Sequence, residues 1–243
     1  MIAETFRVLI LLGRPAAGKS EIIDYLKRTP LAERVRRFHI GEFVELDDFP
    51  LLWAWFEEDE LLARMGHPRL HSTPDGYFLR RYFWDLLIQR LCTKHDRWRR
   101  DAPPGATAVM EFSRGTEHGG YRVALPNLSD AILSRAAILY VNVSWQESLR
   151  KNRRRYNPQR PDSILEHGLD DAKLERLYYH DDWDQVTSGD PRYITVRAHR
   201  VPYTVFENED DVTTQRGPAL GQRLELTLGQ LWRLRATPDD SHV

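Results

Sequence analysis

The sequence predicts an α/β fold, a parallel sheet covered by helices on both faces. Three observations predict it. Short apolar runs without polar alternation, at residues 6–12, 106–112 and 137–143, read as strands buried on both faces. Stretches of helical spacing alternate with them, as crossovers in a parallel sheet require. The first run also ends in a glycine-containing turn, Gly13-Arg14-Pro15-Ala16-Ala17-Gly18-Lys19-Ser20, that leads into a helical pattern.

The elements follow in order. After the first strand, residues 20–28 place Ile22, Ile23 and Leu26 on one helical face, and Pro30 stops the helix. A second extended segment is expected near residues 35–40, leading into Glu45-Leu46-Asp47-Asp48-Phe49-Pro50. Residues 51–65 are rich in helix formers, whereas 67–76, with Pro68, Pro74 and Gly76, form a loop. Residues 77–98 read as a long amphipathic helix, and Pro103-Pro104-Gly105 breaks the pattern before the third strand. A loop at 115–120 and a helix near 127–135 precede the fourth strand, and another helix starts after Ser144. Residues 156–171 are polar and irregular, 173–179 form a short helix, and a fifth extended segment at 201–206 ends at Asn208-Glu209-Asp210-Asp211. Residues 237–243 read as a flexible tail.

With 243 residues and 41% apolar side chains, the chain can bury one substantial core, so a single domain over 1–236 is expected. A formal net charge of −1 gives no overall attraction to nucleic acid or to an anionic membrane. No window approaches the ~18 apolar residues of a membrane span. The N-terminus lacks the basic region, apolar core and cleavage site of a signal peptide, and the expectation is a cytoplasmic protein. The one cysteine, Cys92, has no disulfide partner and no Cys/His cluster has zinc spacing; it reads as a small buried side chain. The seven tryptophans read as core and helix packing.

The pattern G-x-x-x-x-G-K-S carries the chemistry. Glycines permit backbone conformations and close approaches that side chains forbid. Successive backbone N–H groups from Gly13, Arg14, Pro15, Ala16, Ala17 and Gly18 onward, proline excepted, can then cradle phosphate oxygens at the positive end of a helix. Lys19 should reach the β- and γ-phosphates and the Ser20 hydroxyl should coordinate Mg²⁺. A nucleoside triphosphate and magnesium are therefore the expected ligands.

Acidic residues follow two strand ends, on the side where a parallel sheet forms its ligand crevice. Asp47 and Asp48 can take a proton from an acceptor hydroxyl or hold metal through water; a helix cap and first-turn acid account for the same residues equally well. Glu111 can bind magnesium through water or polarise the attacking group, against the alternative of a solvated strand-end glutamate. Arg114, three residues on, suits a substrate phosphate or carboxylate. The run Arg150-Lys151-Asn152-Arg153-Arg154-Arg155 puts Arg150 and either Arg153 or Arg154 on one helical face. There they can neutralise charge on a transferring phosphoryl group at the entrance of a mobile lid, about 150–182; a solvated basic face is the alternative. Without further basic stripes the run gives little support to nucleic-acid binding. His180-Asp181-Asp182 has no second histidine at metal-site spacing and reads as helix-end polarity.

Taken together, this order of elements resembles the P-loop nucleoside and nucleotide kinases, the adenylate-kinase-like group. The strand with Gly13–Ser20 is similar to the family's phosphate loop, and Phe112-Ser113-Arg114 resembles the Phe-Pro-Arg segment whose arginine binds the acceptor. The fourth strand followed by Arg150 and Arg153-Arg154-Arg155 resembles the entrance to the family's lid. The resemblance implies a three-layer P-loop NTPase fold with a five-stranded parallel sheet in order 2-3-1-4-5. It also implies an acceptor-binding insertion, here about 41–100, and an ATP-dependent kinase acting on a nucleoside, nucleotide or similar small acceptor. A P-loop ATPase or switch module without an acceptor, and a binding protein without turnover, are the competing functions; no Asn-Lys-x-Asp guanine signature is present.

Overall fold

The computed structural model describes residues 5–155 and 169–236. Chain order runs β1 (Val8–Gly13), α1 (Lys19–Arg28), α2 (Leu31–Phe38), β2 (Phe43–Asp47), α3 (Phe49–Arg64), α4 (Tyr82–Asp101) and β3 (Thr107–Glu111). It continues through α5 (Gly120–Ala124), α6 (Asp130–Leu133), β4 (Ala136–Asn142), α7 (Trp145–Arg155), α8 (Asp171–Tyr178) and α9 (Trp183–Thr187). The chain closes with β5 (Tyr193–Val196), β6 (His199–Glu207), α10 (Val212–Gln215) and α11 (Pro218–Ala236).

Six strands form one sheet in the order β2-β3-β1-β4-β6-β5. Five of them are parallel and give the expected 2-3-1-4-5 order once β6 is counted as the fifth; β5 is an additional antiparallel edge strand, paired through Ile194↔Val201. Side chains alternate across the strands, so each strand feeds two cores. Val8, Ile10, Leu12, Met110, Ile138 and Tyr140 face Ile88, Leu91 and Cys92 of α4. Leu9, Leu11, Val109, Leu139 and Val141 face Ile22, Leu26, Phe38 and the leucines of α11. Helices thus cover both faces, and Cys92 is a buried apolar neighbour of the sheet.

Three expectations are corrected. The extended segment near 35–40 is instead α2, with Pro30 ahead of its first turn, Glu33 within that turn and Arg36 and Arg37 at its end. Arg34 is buried there and donates to the Leu26, Thr29 and Gly41 carbonyls, closing the corner before β2. The helix expected over 77–98 begins at Tyr82, after a connection pinned by Thr73 and Tyr77. Finally, the expected elements end at 211, but Leu220, Leu224, Leu228 and Leu231 form the buried stripe of α11. Within 41–100, β2 and α4 belong to the sheet layers; α3, which buries only Asp59, and the 65–81 connection stand off them. Residues 156–168 of the expected lid and the tail 237–243 lie outside the described residues.

Candidate active site

The turn after β1 has the geometry that its glycines permit. Gly13 sits at φ 142° and Gly18 at φ 113°. A Cβ on Gly13 would run into the Val141 carbonyl oxygen of β4, and one on Gly18 would lie 2.7 Å from Asn208 Nδ2. Lys19 opens α1 and folds back over the turn, donating to the Arg14 carbonyl at 2.9 Å and to Ser113 Oγ at 2.9 Å. Its ammonium lies 3.8 Å from Glu111 Oε1. Burial pulls the Lys19 pKa down, while the nearby Glu111 and Asp47 oppose the change.

Parallel pairing sets Asp47 directly beside Glu111 at the crevice ends of β2 and β3. Burial, then the charges of Glu111 and Asp48, push the Asp47 carboxyl up to about 8. Burial also raises the Glu111 pKa, against Lys19 and Arg155, which favour its charged form. The Ser20 hydroxyl donates to Glu111 at 3.3 Å. Glu45, Asp47 and Glu111 can bring carboxylate oxygens within 4.8 Å of one another, with Glu45 also paired to Lys27. Hard oxygen donors of this kind suit Mg²⁺.

The other sequence candidates separate. Asp48 is buried against Arg114 at 2.7 Å, and Arg114 also donates to the Ser113 and Trp84 carbonyls. Both line the crevice, but each already holds the other. Arg150 grips Glu147 and Asp211, and Arg154 lies 3.8 Å from Asp211; neither lines the phosphate-loop pocket. From the same run, Arg155 does line it, together with Asn152, while Ser148 on that face donates to the Pro15 carbonyl at 2.8 Å. Arg14 turns away from the loop to Asp181 and the Tyr178 carbonyl, both at 2.7 Å. Asp182 accepts from the backbone of Tyr121 and Arg122, so the His180-Asp181-Asp182 segment anchors backbone and an arginine.

Two supports have no counterpart among the residues singled out for the phosphate loop. Asn208, fully buried after β6, donates to the Ala17 carbonyl at 2.7 Å and to Thr213 Oγ1 at 2.8 Å. Tyr121 receives the Gly13 N–H at 3.0 Å. The only sequence signal for Asn208 was its place just past a strand that ends on the crevice side.

No family model and no curated protein matches the chain. Among solved structures, Chaetomium thermophilum Kti12 in complex with ADP-AlF3 is similar over 95% of this chain and 100% of its own, at 14% identity and a TM-score of 0.50. The chain has the α/β fold of P-loop NTPases. A sugar kinase from Janibacter sp. HTCC2649, at 15% identity over 94% of this chain and 98% of its own, has a TM-score of 0.41. Acinetobacter baumannii shikimate kinase in complex with shikimate, at 17% identity over 71% and 76%, has 0.32. These two likenesses are too loose to bear on function.

The P-loop pocket, about 150 Å³, opens beside a second cavity of about 230 Å³. Phe49, Leu52, Trp84, Leu169 and Tyr178 line both. The second cavity is walled by α3 on one side and α8 on the other, with Phe78 packed edge-on to Phe56 and Trp84. Trp53 and Trp84 also face this space, although Trp84 keeps the buried packing role expected of it. His118 backs Trp84 at a ring distance of 3.8 Å, and burial, then Arg114, hold it neutral down to about pH 3. Asp59 braces the 70–72 backbone beneath α3. Burial favours its neutral form, but hydrogen bonds from Leu70, Ser72 and His71 hold its pKa at about 2. Among the described residues, no helix is long and apolar enough to cross a membrane.

Proposed function

We propose that the protein is a phosphotransferase that moves the γ-phosphoryl group of Mg-ATP onto a small acceptor. One observation carries this reading: the P-loop pocket adjoins a second cavity with which it shares five lining residues, and Asp47 lines the first of the two near Phe49, one of the five. A hydrolase needs space for one water beside the phosphate, whereas a transferase needs a place to hold an acceptor.

The backbone of the turn and Lys19 would hold the triphosphate, and Arg155 would face the transferring group in place of Arg150 and Arg154. Ser20 and Glu111 are the oxygen donors that would hold Mg²⁺. That ion, when bound, neutralises phosphate charge. An acceptor hydroxyl oxygen bonds to the γ-phosphorus while the bond from that phosphorus to the β,γ-bridging oxygen breaks, and the electron pair leaves on ADP. The hydroxyl proton passes to a carboxylate. Asp47 is the best suited, because Asp48 is committed to Arg114 and a base is most effective with a pKa near the working pH. The Arg114–Asp48 pair would shape the side of the P-loop pocket and contact the acceptor only at its edge.

Incubation with γ-labelled ATP, Mg²⁺ and an acceptor panel tests the reading: label should move to an acceptor, and Asp47→Asn should abolish transfer while ATP still binds. Release of inorganic phosphate alone would favour the second reading, an ATPase. The likeness to Kti12, bound in that structure to ADP-AlF3, keeps this reading in view, although at 14% identity it speaks to fold.

A further inference from the structure

We infer that the acceptor is an aromatic alcohol that carries no phosphate, seated in the cavity between α3 and α8. The inference rests on the phosphotransfer reading above and adds the chemical class of the acceptor.

The walls decide the class. Phe49, Trp53, Phe56, Tyr77, Phe78 and Trp84 present ring faces and edges to the space. Four charged side chains, Arg81, Glu117, Lys173 and Arg176, also line the space, but Glu117 is held by Arg176 and Lys173 by backbone carbonyls. A sugar, polyol or small hydroxy acid would therefore set many of its hydroxyl groups against ring faces, and each one left buried and unpaired costs about 1–3 kcal/mol. A flat aromatic body gains from the same walls through apolar burial and ring–ring contact. About 230 Å³ is room for one or two fused rings rather than a long chain.

Charge decides against a phosphorylated acceptor. Three cationic side chains border the cavity. Lys173 donates to the Asp75 carbonyl at 2.7 Å and the Gly76 carbonyl at 3.3 Å, and lies over Tyr77. Arg176 is bonded to Glu117 at 3.1 Å and stacks on the same ring. Arg81 makes one long contact, 3.5 Å to the His118 carbonyl, and so remains able to meet a ring nitrogen or carbonyl of the guest. Arg81 and the one remaining N–H of Lys173 fall short of what a phosphomonoester dianion requires, because phosphate sites gather several charge-assisted donors in one place.

The orientation follows from the shared lining of the two spaces. With its ring between α3 and α8, a guest can extend a hydroxyl past Phe49 and Leu52 towards Asp47, since those two side chains line both spaces.

The test compares three panels at equal concentration with γ-labelled ATP and Mg²⁺: aromatic alcohols including free nucleosides, the same nucleosides as 5′-monophosphates, and sugars with sugar acids and polyols. Saturable transfer to a member of the first panel, at least tenfold above its monophosphate, is expected. Quenching of tryptophan fluorescence by that alcohol without nucleotide is expected too. Trp53→Ala should raise KM for that alcohol at least tenfold with a smaller change in kcat, and Trp53→Phe should restore most of it. Best transfer to a monophosphate or to a sugar would overturn the inference and leave the phosphotransfer reading standing. No transfer to any panel, with inorganic phosphate released, would overturn both. An unchanged KM in a folded Trp53→Ala protein would remove the cavity from acceptor binding.

Discussion

Asn208→Ala probes how the sheet holds the phosphate loop. Asn208 is fully buried; its amide donates to Ala17 O at 2.7 Å and Thr213 Oγ1 at 2.8 Å, and its oxygen accepts from Thr213 N at 3.3 Å. Truncation removes all three bonds where replacement partners are scarce. At about 1 kcal/mol per bond the loss is roughly 3 kcal/mol. For a chain of this size that corresponds to a Tm lower by roughly 10 °C. The functional effect should exceed this general loosening, because Ala17 belongs to the loop and the Cβ space at Gly18 is closed by the same amide. Binding of labelled ATP with Mg²⁺, followed by equilibrium dialysis below the transition, should weaken by about tenfold, or ~1.4 kcal/mol. Thr213→Val separates the two routes: it removes the hydroxyl that accepts from Asn208 and Lys151 but keeps the backbone N–H bond of residue 213 to Asn208 and the Asn208 bond to Ala17, so it should lower Tm with less effect on ATP affinity. If Asn208→Ala keeps both Tm and ATP affinity, or if Thr213→Val reproduces the full affinity loss, then Asn208 does not hold the loop.

His118 is neutral in the fold and titrates near 6.5 in the unfolded chain, so protons favour unfolding once pH drops below about 6.5, and the effect levels off near 3. The full span is on the order of 4 kcal/mol, and His118→Phe, which preserves a ring against Trp84, should flatten the wild-type fall in Tm between about pH 6.5 and 4. Asp59 acts in the same direction over a lower pH range: its stabilisation is present above about pH 4 and is lost as pH falls through about 2. Asp59→Asn should cost about 2 kcal/mol at pH 7 and speed limited proteolysis within 65–81 before other sites; uniform cleavage kinetics would count against the bracing role. Lys19→Ala should weaken Mg-ATP binding at least about 30-fold, near 2 kcal/mol, in the same dialysis assay, and full affinity would refute the phosphate-loop assignment.

Much of the fold was legible because β1, β3 and β4 are largely continuous apolar runs, and short runs of that kind suit a strand buried on both faces better than any surface element. The phosphate loop was legible for a different reason: each of its residues answers a separate geometric demand. The segment 35–40 shows where local pattern fails. Val35 and Phe38 look like strand residues, but Phe38 and Arg34 are one helical turn apart, and the buried guanidinium of Arg34 caps carbonyls that only the folded corner brings together. The edge strand β5 left no clear signature, because four residues, with one side chain in each pair towards solvent, carry too short a pattern to separate from a loop.

The candidate site was legible as a set of residue types and illegible as a set of partners. Asp47 and Asp48 are chemically identical neighbours, yet strand pairing puts Asp47 beside Glu111 and turns Asp48 to Arg114. Burial and crowding of like charges raise the first carboxyl, while the second is neutralised by a cation, so one position of register separates a candidate base from a wall. The arginine run obeys the same logic on a helix. Ser148, Asn152 and Arg155 follow the face of α7 that meets the phosphate loop, while Arg150 and Arg154, a turn apart on another face, converge on Asp211. Asp211 is recruited only because the fold brings the start of α10 there, across a separation of 61 residues from Arg150. Arg155→Ala would therefore remove a charge at the pocket, whereas Arg154→Ala, one residue earlier, would remove only a long ion pair outside it. The chemistry of this site resides in register and helix phase as much as in which residues are present.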